Sequence, residues 1–153
     1  MMTIVEYAQD ADIFSLSVPK LEYVFLEEKM SEKSKLLYSF SPVTDKITLL
    51  QKSGDVIVTY PMEFSASNKQ DSGDDHEKGG LFFELKVEYK IVFRSKKKTK
   101  VPEQVKKELF EQVVPRVVHP YFRQTVAEAL QKAGLPPLQI PLIEGLEKDE
   151  PND

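Results

Sequence analysis

The chain has 153 residues and a mass of 17.5 kDa, the length of one ordinary domain. Hydrophobic residues make up 41% and charged residues 30%, the balance of a soluble globular protein. The formal charge is −4, and the last ten residues, Glu144–Asp153, hold five acids and one lysine, so the body before them is neutral. A neutral body speaks against a nucleic-acid binder, whose affinity rests on neutralising phosphates. No apolar run approaches the ~20 residues of a membrane span. Met1–Glu6 shows no basic-then-apolar leader, so the expected address is the cytoplasm. The absence of cysteine excludes disulfides, thiolate metal sites and cysteine nucleophiles. The expected organisation is one domain over 1–143 and an acidic tail, without a fold of its own, over 144–153.

Strands are expected first. Phe14, Leu16 and Val18 alternate with Ser15 and Ser17, the period of a strand with one dry face, and Pro19 is expected to end it. Tyr23, Val24, Phe25 and Leu26 then form an apolar stretch in what reads as a connection. Leu36, Tyr38 and Phe40 alternate up to Pro42, with Ile47 and Leu49 extending or following them. After the Ser53-Gly54-Asp55 turn signal, Val56, Val58, Tyr60, Met62 and Phe64 make another alternating row. Pro61 inside that row points to an edge strand or a bulge, because proline cannot donate to a ladder. Residues 65–80 read as a polar hairpin connection. Phe83, Leu85, Val87, Tyr89, Ile91 and Phe93 then alternate with Glu84, Lys86, Glu88 and Lys90, the clearest strand of the chain. The four predicted strands cover about residues 3–18, 35–50, 55–66 and 81–95.

The period turns helical after the basic run Arg94, Lys96, Lys97, Lys98 and Lys100, which reads as a solvated turn or as an anion-binding patch. Val105, Leu109 and Val113 make one apolar stripe, with Phe110 and Val114 beside it. Phe122, Val126, Ala129, Leu130 and Ala133 make a second. Pro115 and Pro120 predict a kink or a break between two helical pieces within about 102–133, and Gly134 is placed to stop the helix. Strands followed by helices give an α+β class, a four-stranded antiparallel sheet with a kinked long helix, or two helices, packed on one face.

Catalytic patterns are absent from the sequence. His76 stands among Asp74, Asp75 and Glu77 in a polar loop, either a metal-binding cluster or a solvated one, and His119 before Pro120 suits capping or packing at a helix start. No phosphate loop, nucleophile elbow or serine triad is present, so a non-enzymatic protein is expected. Two apolar stretches on connections stand out instead: Tyr23, Phe25 and Leu26, and Leu138, Ile140, Leu142 and Ile143. They read as flaps over a core, or as a groove or oligomer surface for a partner.

Residues 114–123, Val-Pro-Arg-Val-Val-His-Pro-Tyr-Phe-Arg, resemble the SecB protein-export chaperones, which have a proline, a short apolar stretch and Pro-Tyr-x-Arg opening a helix. Pro115, Pro120, Tyr121 and Arg123 stand at that spacing, and Gly134 through Ile140 is similar to the family's Pro-x-Leu-x-Leu exit. The resemblance implies a SecB-like fold and a dimer or a dimer of dimers. It implies unfolded or extended polypeptide as partner, held in apolar grooves without nucleotide or cofactor. On that resemblance, Tyr23, Phe25, Leu26, Leu138, Ile140, Leu142 and Ile143 are the client-binding candidates, and Asp12 and Glu88 the docking positions for a SecA-like motor. Leu26-Glu27-Glu28-Lys29 stands where the family carries a tryptophan, and ten mostly polar residues follow Ile143 where the family has a last helix. An adaptor for one specific protein or peptide is the alternative function on the same fold.

Overall fold

A computed structural model of the chain describes residues 2–26, 36–68, 80–96 and 100–136. They fall in two compact units, Asp12–Arg94 and Met1–Ala11 with Ser95–Asp153. The first is a sheet of five strands: β1 Ala11–Phe25, β2 Leu36–Pro42, β3 Thr48–Lys52, β4 Asp55–Asn68 and β5 Leu81–Ser95. Their order is β1-β5-β4-β2, with β3 also on β4, and β2, β3 and β5 run antiparallel to β4. Phe14 lies against Arg94 near the end of β5, and the Leu26 N–H donates to the Phe82 carbonyl near its start, so β1 is antiparallel to β5. The α+β class stands, with five strands instead of four because the expected second strand is divided. A 3₁₀ turn at Thr44–Lys46 separates β2 from β3, so that Val43–Ile47 stand opposite only Tyr60 and Pro61.

Three prolines lie within strands, and each missing N–H falls where no ladder bond is due. Pro61 sits in the central strand β4, correcting the edge-strand reading. Its carbonyl accepts from the Val43 N–H at 2.9 Å, so its nitrogen faces the break between β2 and β3. The same bond turns Val43 toward β4 and therefore Pro42 toward the free edge of β2. Leu26 directs its N–H at β5, and Pro19, an odd number of residues earlier, has the opposite parity and faces the open edge of β1. A proline there removes nothing from the ladder. The strand therefore continues through Pro19 to Phe25, and Tyr23 and Phe25 belong to β1 instead of to a connection.

One face of the sheet is buried in the folded chain. Val56, Val58, Tyr60, Met62, Phe64 and Ala66 of β4 alternate with Phe83, Leu85, Val87, Tyr89, Ile91 and Phe93 of β5, all at 4% exposure or less. Phe14 and Val18 alternate as expected but are exposed, 58% and 43%. They lie on the opposite, outer face, since Phe14 shares the face of Arg94 and Val18 stands four residues along the same strand.

The second unit is helical, and it corrects the sequence reading at the N-terminus. Residues 4–10 form helix α1, Ile4–Asp10, not the start of a strand. Thr3 Oγ1 accepts from the Glu6 N–H at 3.2 Å and Glu6 accepts from the Thr3 N–H at 3.3 Å, a complete capping box. At the other end, α2 Glu103–Glu108 runs through a π-turn, Leu109–Val113, into α3 Val114–Lys132. The expected kink at Pro115–Pro120 is displaced to this turn. Pro115 has no N–H, and its ring crowds the carbonyl four residues back, Glu111, which the widened π-turn holds. The helix continues through Pro120, so His119 is a packed interior residue, 3% exposed, and not the cap of a helix start. The buried stripe is Val101, Val105, Leu109, Val114, Val118, Phe122, Val126 and Leu130. Its steps are four residues everywhere except across the π-turn, where the step is five, which puts Val114 in place of the expected Val113. Gly134, at φ 72°, ends the helix: Leu135 donates to the Leu130 carbonyl and Gly134 to that of Gln131, the two bonds of a Schellman stop.

Candidate functional site

The end of the sheet where β1 stops and β5 begins carries a row of aromatic rings. Tyr23 of β1 stacks on Phe83 of β5, with centroids 6.0 Å apart and planes at 29°. Phe83 meets Phe64 of β4 edge-on at 6.0 Å, and Phe64 stacks on Tyr38 of β2 at 6.1 Å. The row thus crosses four strands on the buried face. Offset and edge-on pairs at these distances are the favourable geometries for aromatic rings. Beside it, Phe25 meets Phe82 edge-on at 6.5 Å, and Leu26 is pinned by its bond to the Phe82 carbonyl, 2.7 Å. Burial is graded along the row. Phe64 and Phe83 are at 1% and 0% exposure, whereas Tyr23 and Tyr38 at the ends are each 39% exposed. The result is a rigid aromatic floor with two accessible ends.

The register explains why these rings meet. Phe64 of β4 stands directly opposite Phe40 of β2 and Leu85 of β5, and Phe83 stands opposite Ala66. Phe64 and Phe83 are therefore diagonal neighbours, and Ala66 leaves room for the large rings on either side. Pairing of β1 with β5 brings Tyr23 and Phe25 alongside.

Of the candidate residues read from the sequence, Tyr23, Phe25 and Leu26 come together at this end of the sheet. Leu138, Ile140, Leu142 and Ile143 lie outside the described residues, as do His76 and its acidic neighbours. Sequence reasoning placed Tyr38, Phe64 and Phe83 in alternating rows but gave them no site role, and did not single out Phe82. Their meeting depends on strand order and register, which no local pattern shows.

The outer face holds the charged groups. Glu88 lines a hollow of about 100 Å³ around Pro61, together with Lys20, Glu22, Lys46, Glu63 and Lys86. Asp12 is exposed on β1, so the two docking candidates stand on one sheet, among charges of both signs. Further along, Arg94 grips Asp55 with two bonds, Nε to Oδ1 at 3.1 Å and Nη2 to Oδ2 at 3.2 Å. Its guanidinium also lies 3.6 Å from the centre of the Phe14 ring. The hydrogen bond from Arg94, more than its charge, holds the Asp55 carboxyl below its ordinary value of 3.8 and raises the guanidinium in turn. No cluster of three or more metal-ligating side chains occurs among the described residues. No helix among them is long and apolar enough to cross a membrane.

No curated protein matches the chain by sequence. Among solved structures, the fold is similar to the Mycobacterium tuberculosis Rv1957 SecB-like chaperone, determined in complex with a ChAD peptide from the Rv1956 HigA1 antitoxin. The match has a TM-score of 0.73 at 14% identity and covers 89% of this chain and 92% of that one. The family model of SecB, the preprotein translocase subunit, matches residues 45–145, about two-thirds of the sequence, and the chain therefore belongs to the SecB family.

Proposed function

We propose that this protein is a client-binding module of the SecB type, which holds unfolded or extended polypeptide against an apolar surface without catalysis or cofactor. The observation that carries this reading is the aromatic row, rigid and buried in the middle, accessible at Tyr23 and Tyr38. A chaperone that binds non-native chains must offer apolar area without sequence selectivity, and large rings held by neighbouring rings supply it at low entropic cost. Tyr23, Phe25 and Leu26 are the contact residues on the sheet. Leu138, Ile140, Leu142 and Ile143, an apolar stretch stiffened by Pro136, Pro137 and Pro141, are the second contact segment. The protein acts in the cytoplasm as a homodimer or tetramer, and a SecA-like motor docks at Asp12 and Glu88. The test is binding of a fluorescently labelled, chemically unfolded protein to the wild type and to a Tyr23→Ser/Phe25→Ser variant. Weakened binding with cooperative unfolding retained supports the site. Undiminished binding by the variant, or none by the wild type, refutes it.

The structural neighbour's complex with one antitoxin peptide favours a second reading, an adaptor for a single partner. Proteins captured from lysate on the wild type separate the two. Many unrelated clients mark the chaperone, and one stoichiometric partner marks the adaptor.

A further inference from the structure

The outer face of the sheet carries an apolar belt that client binding at the aromatic row does not use. Leu50 of β3 pairs with Ile57 of β4, and Ile57 with Val92 of β5, so the three share one face with Asp55 and Arg94. Phe14, stacked by Arg94, puts Leu16 and Val18 of β1 on that face as well. Leu50, Phe14 and Val18 are 61%, 58% and 43% exposed. The belt crosses β3, β4, β5 and β1 at right angles to the strands, a span of about 14 Å at ordinary strand spacing. It is bordered on one side by the row Lys52, Asp55, Arg94 and on the other by Thr48, Thr59, Lys90. The charges on these borders are not balanced. Asp55 is held by both guanidinium nitrogens of Arg94, whereas Lys52 and Lys90 are exposed and make no ion pair among the described residues.

We propose that this belt docks an acidic amphipathic helix of a partner protein, with its apolar stripe on Leu50, Ile57, Val92 and Leu16 and its flanking carboxylates on Lys52 and Lys90. A rod laid across the strands fits a belt one side chain wide. About ten helical residues cover the span, since each advances ~1.5 Å. Apolar contact supplies affinity, and the lysine on either border fixes the sign of the partner. An anionic bilayer fits less well. Asp12 and Glu88 stand two residues beyond Phe14 and Lys90 on the same strands, and a flat negative surface would meet them too.

The probe is a labelled helical peptide of about 18 residues, with leucines on one stripe and glutamates on both borders, against its twin carrying lysines for glutamates. The wild type is expected to bind the glutamate peptide and to reject the lysine twin. Lys52→Glu/Lys90→Glu is expected to weaken the glutamate peptide by about tenfold or more and to accept the twin. Leu50→Ser, at an exposed position, is expected to weaken binding while leaving the unfolded-client binding of the aromatic row intact, which separates this site from that one. The proposal is overturned if the glutamate peptide does not bind or ignores the charge reversal. It is equally overturned if the wild type prefers vesicles of anionic phospholipid, or if Leu50→Ser converts a dimer to a monomer, since the belt then belongs to a second copy.

Discussion

Removing the ring of Phe83 tests whether the aromatic row is a built structure or a chance proximity. Phe83 is fully buried and touches a ring on each side, Tyr23 and Phe64, both at 6.0 Å. Truncation of a buried phenylalanine to alanine costs about 3–5 kcal/mol, lost transfer energy plus an unfilled cavity. Tyr23 is 39% exposed, so Tyr23→Ala forfeits only part of the ~1.5–3 kcal/mol of a fully buried side chain, about 1–2 kcal/mol. The stacked pair itself contributes about 0.5–1.5 kcal/mol beyond area. The double variant should therefore be more stable than additivity predicts by that amount. The assay is urea unfolding of the wild type, both single variants and the double variant at one protein concentration, because subunit association would otherwise add to the measured stability. Phe83→Leu replaces Phe83→Ala if the latter leaves too little folded protein. Coupling within ~0.3 kcal/mol of zero, or a Phe83→Ala cost below ~1 kcal/mol, refutes the row as described.

Three further outcomes follow from local geometry. Gly134 has φ 72° and open space where a Cβ would stand, so Gly134→Ala should cost only the backbone strain, about 1–2 kcal/mol, and lower the melting temperature by roughly 2–4 °C per kcal/mol. Thr3→Ala removes half of the capping box and should cost about 1 kcal/mol, with amide exchange rising across Ile4–Asp10, which hydrogen-exchange mass spectrometry reads directly. The Asp55 carboxyl is more acidic folded than unfolded, so its contribution is fully present above its ordinary value of 3.8 and disappears as the pH falls through the lower folded value. Asp55→Asn should therefore narrow the stability gap to wild type below pH ~4 and leave it constant near neutrality, as acid titrations of unfolding would show.

Much of the sheet was legible because one buried face writes a period of two into β4 and β5, and those rows fell where expected. What failed to show was every feature set by a neighbour. Pro19 reads as a strand end until its parity on an edge strand is known, and that misreading alone moved Tyr23 and Phe25 from strand to connection. Thr3-x-x-Glu6 is a capping signature that sequence reasoning could have used, but the seven-residue helix it opens is too short to show an apolar period. Of the candidate site, Tyr23, Phe25 and Leu26 were visible as apolar residues near a proline. Of the rings that hold them in place, Phe83 looked like ordinary core and Phe82 carried no pattern of its own, since only the register of β4 on β5 and of β1 beside it makes them a floor.

The π-turn at Leu109–Val113 makes the helical segment one residue longer than its buried stripe requires. That extra residue has a consequence for how length can vary in this fold. Deleting one residue at Phe110, Glu111 or Gln112, with Pro115 replaced so that no ring crowds the carbonyl four residues back, would return the turn to ordinary helix and restore a step of four between Leu109 and Val114. Deletion anywhere from Val118 to Leu130 would instead rotate every later side chain by about 100° and turn the stripe out of the core. A one-residue gap in a relative's helix therefore belongs at this turn.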